Sequence, residues 1–166
     1  MNAGAYGGEM KDILQKVTVL TPDGTVQTLS VEELELSYRH SIIPEKGYLV
    51  ISAVLKLQPG NADEIQSIMD DLKEKRVSKQ PLEYPSAGST FKRPEGYFAG
   101  KLIQDAGLRG FRVGGAQVSE KHCGFIINRD QATSTDICQL MQQVSEIVYE
   151  KFGVRLEPEV KKIGEF

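Results

Sequence analysis

Residues 98–128, "FAGKLIQDAGLRGFRVGGAQVSEKHCGFIIN", decide the fold because the apolar period changes within one short span. Phe98, Leu102 and Ala106 recur every four residues and stop at Gly107, the pattern of a short helix with a left-handed cap. "VGGAQVS" (113–119) and "CGFIIN" (123–128) then read as the two sides of an antiparallel pair. A second helix follows. Thr133 or Ser134 is placed to cap it, Ile137, Leu140, Met141, Val144, Ile147, Val148 and Phe152 form its apolar stripe, and Gly153 ends it. "VRLEPEVKKIG" (154–164) reads as a final strand.

Upstream, "KVTVL" (16–20) and "TVQTL" (25–29) alternate around "TPDGT", where Pro22, Asp23 and Gly24 supply the dihedrals of a hairpin connection. Ser30 and Glu33 have the spacing of a capping box, which predicts a short helical turn, and "LSYRHSIIPEKG" (36–47) is loop-like. "YLVISAVLKL" (48–57) is β-branched and apolar enough for a well-buried strand. Asn61 stands three residues before Glu64. Ile65, Ile68, Met69 and Leu72 share one face, so a helix is predicted from about 62 to 76. Gln80 and Pro81 break the pattern, and a boundary is placed there. "MNAGAYGGEM" (1–10) is a Gly-rich loop, and no internal repeat is present. The order β-β-β-α, then α-β-β-α-β, indicates an α+β chain in two pieces with antiparallel pairing in each.

The 166 residues carry 23 acids against 20 bases, a net charge of -3, so no overall positive field favours nucleic acid. Cys123 and Cys138 form neither a disulfide framework nor a CxxC pair and read as reduced, packed thiols. No apolar run reaches the ~20 residues of a membrane helix, and the expected location is the cytoplasm. The two histidines have no metal-ligand spacing, and neither G-x-S-x-G nor a P-loop occurs. "SAGSTFKRP" (86–94) sets Ser89 among small residues with Lys92 and Arg93 close behind, so that backbone and hydroxyl can approach another molecule closely. On its own this stretch reads as a solvated turn. Arg39, Ser89, Arg109 and Glu159, taken singly, read as surface residues of loops or strand ends.

In combination, "NAGAYGGE" (2–9), "SYRHS" (37–41), "AGSTFKRP" (87–94), the 98–128 stretch and "EKFGVRLEPEVKKIGEF" (150–166) resemble the UDP-N-acetylenolpyruvoylglucosamine reductase (MurB) family of peptidoglycan synthesis. The resemblance runs over nearly the whole chain. It implies reduction of UDP-N-acetylglucosamine enolpyruvate to UDP-N-acetylmuramate, with FAD as hydride relay and NADPH as reductant. It also implies an organisation: residues 1–80 as the second half of a flavin-binding α+β domain, 81–158 as a small α+β substrate-binding domain with antiparallel strands, and 159–166 as a segment returning to the flavin part. The four steps from Leu57 to Asn61 resemble the shorter, loopless subgroup. No "GGxGSN"-like loop for the flavin pyrophosphate is matched. The chain therefore resembles a carboxy-terminal portion or a product of an internal start, and is expected not to retain FAD.

Carried over by position, the resemblance implies Arg39, Ser89 and Glu159 as catalytic residues, Ser89 being the proton donor. It implies Asn2, Ala3, Gly4, Ala5, Tyr6 and Gly7 as the loop along the flavin. It implies Lys79, Lys92, Arg93, Tyr97, Arg109 and His122 as substrate contacts, with His122 standing where some members have glutamine. No metal is implied, and His40 reads as a loop residue. Met69 and Met141 are read as filling helix faces, and Tyr6 as open to fraying. Two readings follow: part of a reductase, or a UDP-sugar binding module without flavin. An apolar, flavin-facing surface on residues 1–80 would also favour self-association.

Overall fold

Thr21, Pro22, Asp23 and Gly24 turn the chain back as their chemistry predicts. Gly24 adopts φ 85°, the Thr21 amide donates to the Thr25 carbonyl at 2.9 Å, and Asp23 accepts from the Thr21 and Thr25 hydroxyls. The hairpin so formed joins β3 (Leu14–Leu20) to β4 (Val26–Ser30), after an amino-terminal pair, β1 (Gly4–Ala5) and β2 (Gly8–Glu9). The computed structural model describes residues 1–164. Its contacts divide the chain into two units, one of residues 1–72 and one from Lys73 onward.

In the first unit β5 (Leu49–Leu55) pairs antiparallel with β3, giving the strand order β4-β3-β5. Val17 and Val19 of β3 meet Leu29 of β4 and Leu34 in a small buried cluster, with Leu36, Ile42, Ile43 and Tyr48 against it. Ser30 and Glu33 exchange both capping-box hydrogen bonds, at 2.8 and 3.3 Å, yet the segment forms turns and no helix. The expected loop 36–47 contains one helical turn, α1 (Ile42–Glu45). The Gly-rich start is a built hairpin: Tyr6 (φ 52°) and Gly7 (φ 88°) both take the left-handed dihedrals that a type I′ turn requires.

Two burial expectations fail here. All seven residues of β5 are exposed, and so are Ile65, Ile68 and Met69 on α2 (Ala62–Lys79). Apolar period specifies a face that favours burial, whereas burial itself requires a layer over that face. The helix is capped as expected, with Asn61 Oδ1 accepting from the amides of Asp63 (2.9 Å) and Glu64 (3.2 Å), and runs three residues past 76.

The second unit is a four-stranded antiparallel sheet in the order β6 (Ser86–Ser89), β9 (Phe125–Asn128), β8 (Ala116–Val118) and β7 (Arg112–Val113). α3 (Ala99–Asp105) and α4 (Ser134–Phe152) pack with it around Leu102, Ile103, Val118, Ile126, Leu140, Val144 and Val148. Phe98 sits outside the stripe at 61% exposure, its ring covered by the Arg93 guanidinium at 3.9 Å. A side chain at Gly115 would lie 2.0 Å from the Asp130 carbonyl, so only glycine fits between β7 and β8. The stretch read as a turn, 86–89, is instead an edge strand. The final strand expected over 154–164 reduces to a single bridge, Phe91 to Pro158. Among the described residues no helix is long and apolar enough to cross a membrane.

Candidate functional site

Ser89 ends β6, opposite Phe125 of β9, and is exposed. Gly88 before it takes φ 86°, and the register shifts between Ser86 and Ser89. A glycine at positive φ is what lets an edge strand bulge and aim the next side chain outward.

Thr90 is buried and ties three segments together. Its amide donates to the Gly124 carbonyl at 2.8 Å, its hydroxyl accepts from the Ile126 amide at 3.0 Å, and its carbonyl accepts from the Glu159 amide at 2.8 Å. Two residues on, the Lys92 amide donates to the Glu157 carbonyl at 2.8 Å, and the Lys92 ammonium pairs with the Glu157 carboxylate. These bonds flank the Phe91–Pro158 bridge and make it a pair without mutual hydrogen bonds. Proline fits there because its missing N–H is not needed, and it holds Glu157 in extended backbone.

Segments far apart in sequence are therefore laced together in the second unit, with Glu159 across from Thr90, the residue that follows Ser89. A mostly apolar cleft of about 330 Å³ is lined by Ser86, Ala87, Thr90, Ile126, Met141 and Val160, and not by Ser89 or Glu159. A polar cleft of about 260 Å³ lies over Tyr84, Gln117, Ser119, Lys121 and Arg129. Thr90 and Pro158 did not stand out in the sequence. The signal that could have found Thr90 is its place immediately after a serine in a run of strand-compatible residues.

Arg39 belongs to the first unit. It occupies a tight turn closed by the His40 amide on the Ser37 carbonyl, at φ 54°, with its guanidinium 5.1 Å from the Tyr38 ring centre. In the same unit Asn2 is buried and doubly bonded, donating to Glu9 at 2.7 Å and accepting from the Lys11 amide at 3.0 Å. Lys11 and Asn2 hold the Glu9 carboxyl below its usual range, with a smaller contribution from the Arg39 charge. Asn2 is thus committed within the hairpin that presents Ala3, Gly4, Ala5, Tyr6 and Gly7. Nothing lies within 4 Å of a would-be side chain at Gly7 or Gly8, so a flat ring has room against that backbone.

The remaining expected contacts are mostly engaged within the second unit. Arg93 covers Phe98 and donates to the Tyr97 carbonyl at 3.3 Å, while Tyr97 itself is exposed. Arg109 donates to the Glu120 carbonyl and to Gln104 Oε1 at 2.9 Å. His122 accepts the Gly124 amide on Nδ1 at 3.1 Å and stands edge-on to Phe125. Lys79 is exposed at the end of α2. His40 pairs with Glu45 at 3.3 Å. Cys123 is buried, and desolvation pushes its thiol up, while Cys138 is half-buried. Met141 fills its helix face as expected, whereas Met69 is exposed. Among the described residues no three metal-ligating side chains cluster.

Residues 80–163 match the family profile described as UDP-N-acetylenolpyruvoylglucosamine reductase, C-terminal domain. Proteins named UDP-N-acetylenolpyruvoylglucosamine reductase are 66% identical in Agathobacter rectalis, over the whole chain and 53% of that protein, and 58% identical in Clostridioides difficile, over 99% of the chain and 54% of that protein. The chain spans about half the length of the curated relatives it matches. The crystal structure of UDP-N-acetylenolpyruvylglucosamine reductase from Thermus caldophilus aligns with a TM-score of 0.81 at 38% identity, over 96% of this chain and 57% of that one.

Proposed function

The chain belongs to the UDP-N-acetylenolpyruvoylglucosamine reductase family, and from this premise we propose that it supplies the substrate-side half of an enzyme reducing UDP-N-acetylglucosamine enolpyruvate to UDP-N-acetylmuramate. FAD, when bound, would relay hydride from NADPH to the terminal methylene of the enolpyruvyl group. The open backbone at Gly7 and Gly8 fits the edge of such a ring.

The chain's own residues manage charge and one proton. Hydride addition leaves an enolate conjugated to a carboxylate, and that developing charge calls for fixed cations and donors. Arg39 presents a planar fork to the carboxylate. Glu159, protonated or sharing a hydrogen bond with the enolate, stabilises it. Ser89 delivers its hydroxyl proton to carbon: alcohol is a weak acid in water, but the carbon base beside it is far stronger, so alignment makes the transfer downhill. Lys79, Lys92, Arg93, Tyr97, Arg109 and His122 remain proposed contacts of the sugar nucleotide. Because Lys92, Arg93 and Arg109 are held by neighbours, their side chains are preordered for such contacts.

The observation that supports this reading is the lacing of residues 90–92 to 157–159, which sets Ser89 and Glu159 on adjoining chain segments. The test is Ser89→Ala. Since Ser89 is exposed, stability should stay within ~0.5 kcal/mol. In the full-length, flavin-loaded enzyme of which this chain would be the half, substrate-dependent NADPH oxidation should fall by roughly 10²- to 10⁴-fold in single turnover, with flavin reduction by NADPH unchanged. Unchanged turnover removes Ser89 from the chemistry. A colourless preparation that consumes no NADPH yet binds UDP-N-acetylglucosamine restricts the chain alone to sugar-nucleotide binding.

A further inference from the structure

We propose that Lys121 is a positioning residue for sugar-nucleotide binding: it holds the last turn of α2, and with it Lys79, against the loop that joins β8 to β9. The inference deepens the reading above, in which Lys79 is a contact of the sugar nucleotide, and it rests on that reading.

A carbonyl in an α-helix is met by the amide four residues on. For Val77, in the last turn of α2, that residue is Pro81, whose ring nitrogen carries no hydrogen. The amide three residues on, that of Gln80, donates to the Arg76 carbonyl at 2.9 Å. Local backbone therefore leaves the Val77 carbonyl without its regular donors. The Lys121 ammonium supplies one from 44 residues away in sequence, at 3.0 Å. A cation there also faces the negative end of the helix dipole. The same ammonium lies 3.7 Å from the Glu83 carboxylate. It thus spans the turn that leaves α2, in which the Tyr84 amide donates to the Pro81 carbonyl at 3.2 Å. Val77, Lys79, Glu83 and Lys121 all belong to the second unit.

The loop that carries Lys121 is itself fixed. Ser119 is buried, its hydroxyl accepts from the amides of Lys121 and His122, both at 3.2 Å, and its amide donates to the Phe125 carbonyl at 2.9 Å. His122 tightens the loop further, its Nδ1 accepting from the Gly124 amide at 3.1 Å. The loop is therefore the rigid partner, and the end of α2 is what it positions. Lys79 is the last residue of α2, two positions beyond the tethered carbonyl, so its backbone is placed by the tether. The Lys121 ammonium is engaged by Val77 and Glu83 and acts on substrate through Lys79. A cation on a held turn loses less freedom on meeting an anion than one on a fraying helix end.

The test uses the full-length, flavin-loaded enzyme. Lys121→Met keeps the stem and removes the donor; it should raise KM for the enolpyruvyl sugar nucleotide about tenfold and leave kcat within about twofold. Without substrate, hydrogen exchange of the amides of residues 76–80 should speed up by about the same factor. Lys121→Arg still offers N–H donors to a carbonyl and should restore both. In a Lys79→Ala background Lys121→Met should change KM by no more than about twofold, since a residue acting through Lys79 adds little once Lys79 is gone. Unchanged exchange or unchanged KM in Lys121→Met overturns the proposal, and so does a tenfold effect that persists without Lys79. Lys79→Ala alone separates the two levels. If it leaves KM unchanged, Lys79 is no contact, and the reading beneath the proposal falls together with it. If it raises KM while Lys121→Met does not, that reading stands and the tether alone is overturned.

Discussion

Thr90 ties the segments of the candidate site together, because it is buried and its polar atoms have partners on separate segments. Thr90→Val keeps the shape and deletes the acceptor for the Ile126 amide, leaving a buried donor unsatisfied. Unfolding by urea should show a loss of about 1–3 kcal/mol, and Thr90→Ser should recover most of it. An unchanged midpoint for Thr90→Val would mean that the Ile126 amide finds another partner. The chemistry of single residues was the least legible part of the sequence. Arg39, Ser89 and Glu159 gained roles only through motifs taken together, since each alone is an ordinary polar residue. Arg109 illustrates the reason: its guanidinium is held by Gln104 and the Glu120 carbonyl, a contact between positions whose proximity depends on the path of the sheet.

At the scale of elements, periodicity carried the reading where an element's own residues specify it. α4 starts at the expected cap, with Thr133 Oγ1 accepting from the Asp136 amide at 3.1 Å and Asp136 accepting from the Thr133 amide at 2.9 Å, and it ends at Gly153 with φ 69°. Thr133→Ala should cost about 1 kcal/mol in chemical unfolding. The hydrogen bond from the Thr133 amide, helped by that from the Gly115 amide, holds the Asp136 carboxyl below the usual carboxylate range. A depressed carboxyl contributes stability above its unfolded value and loses it as pH falls through the folded one. Stability of the intact chain should therefore drop below about pH 4 more steeply than that of Asp136→Asn, measured by thermal unfolding across that range. Identical acid limbs would deny the cap this role. What periodicity could not give was context. β5 and α2 are apolar as read yet exposed, because a pattern names the face that favours cover and not the layer that provides it. The final strand failed because, among the described residues, the 154–164 segment pairs at a single bridge, Phe91 to Pro158.

At the scale of the whole molecule, the two units have unequal cores. The second buries fifteen apolar residues in one cluster, drawn from the sheet, α3, α4 and the segment at Leu156, whereas the first buries four. A short chain with so few buried side chains sits near the limit at which hydrophobic burial offsets conformational entropy, and a larger cluster moves a domain away from that limit. Residues 73–166 produced alone should therefore unfold in one cooperative thermal transition at a midpoint independent of concentration. Residues 1–72, with four buried apolar side chains in their cluster, should melt broadly and without a cooperative transition. Calorimetry or circular dichroism of the two pieces measures these outcomes. A non-cooperative melt of residues 73–166 would show that their cluster is too small to fold without the first unit, and a cooperative melt of residues 1–72 would show that the smaller cluster suffices.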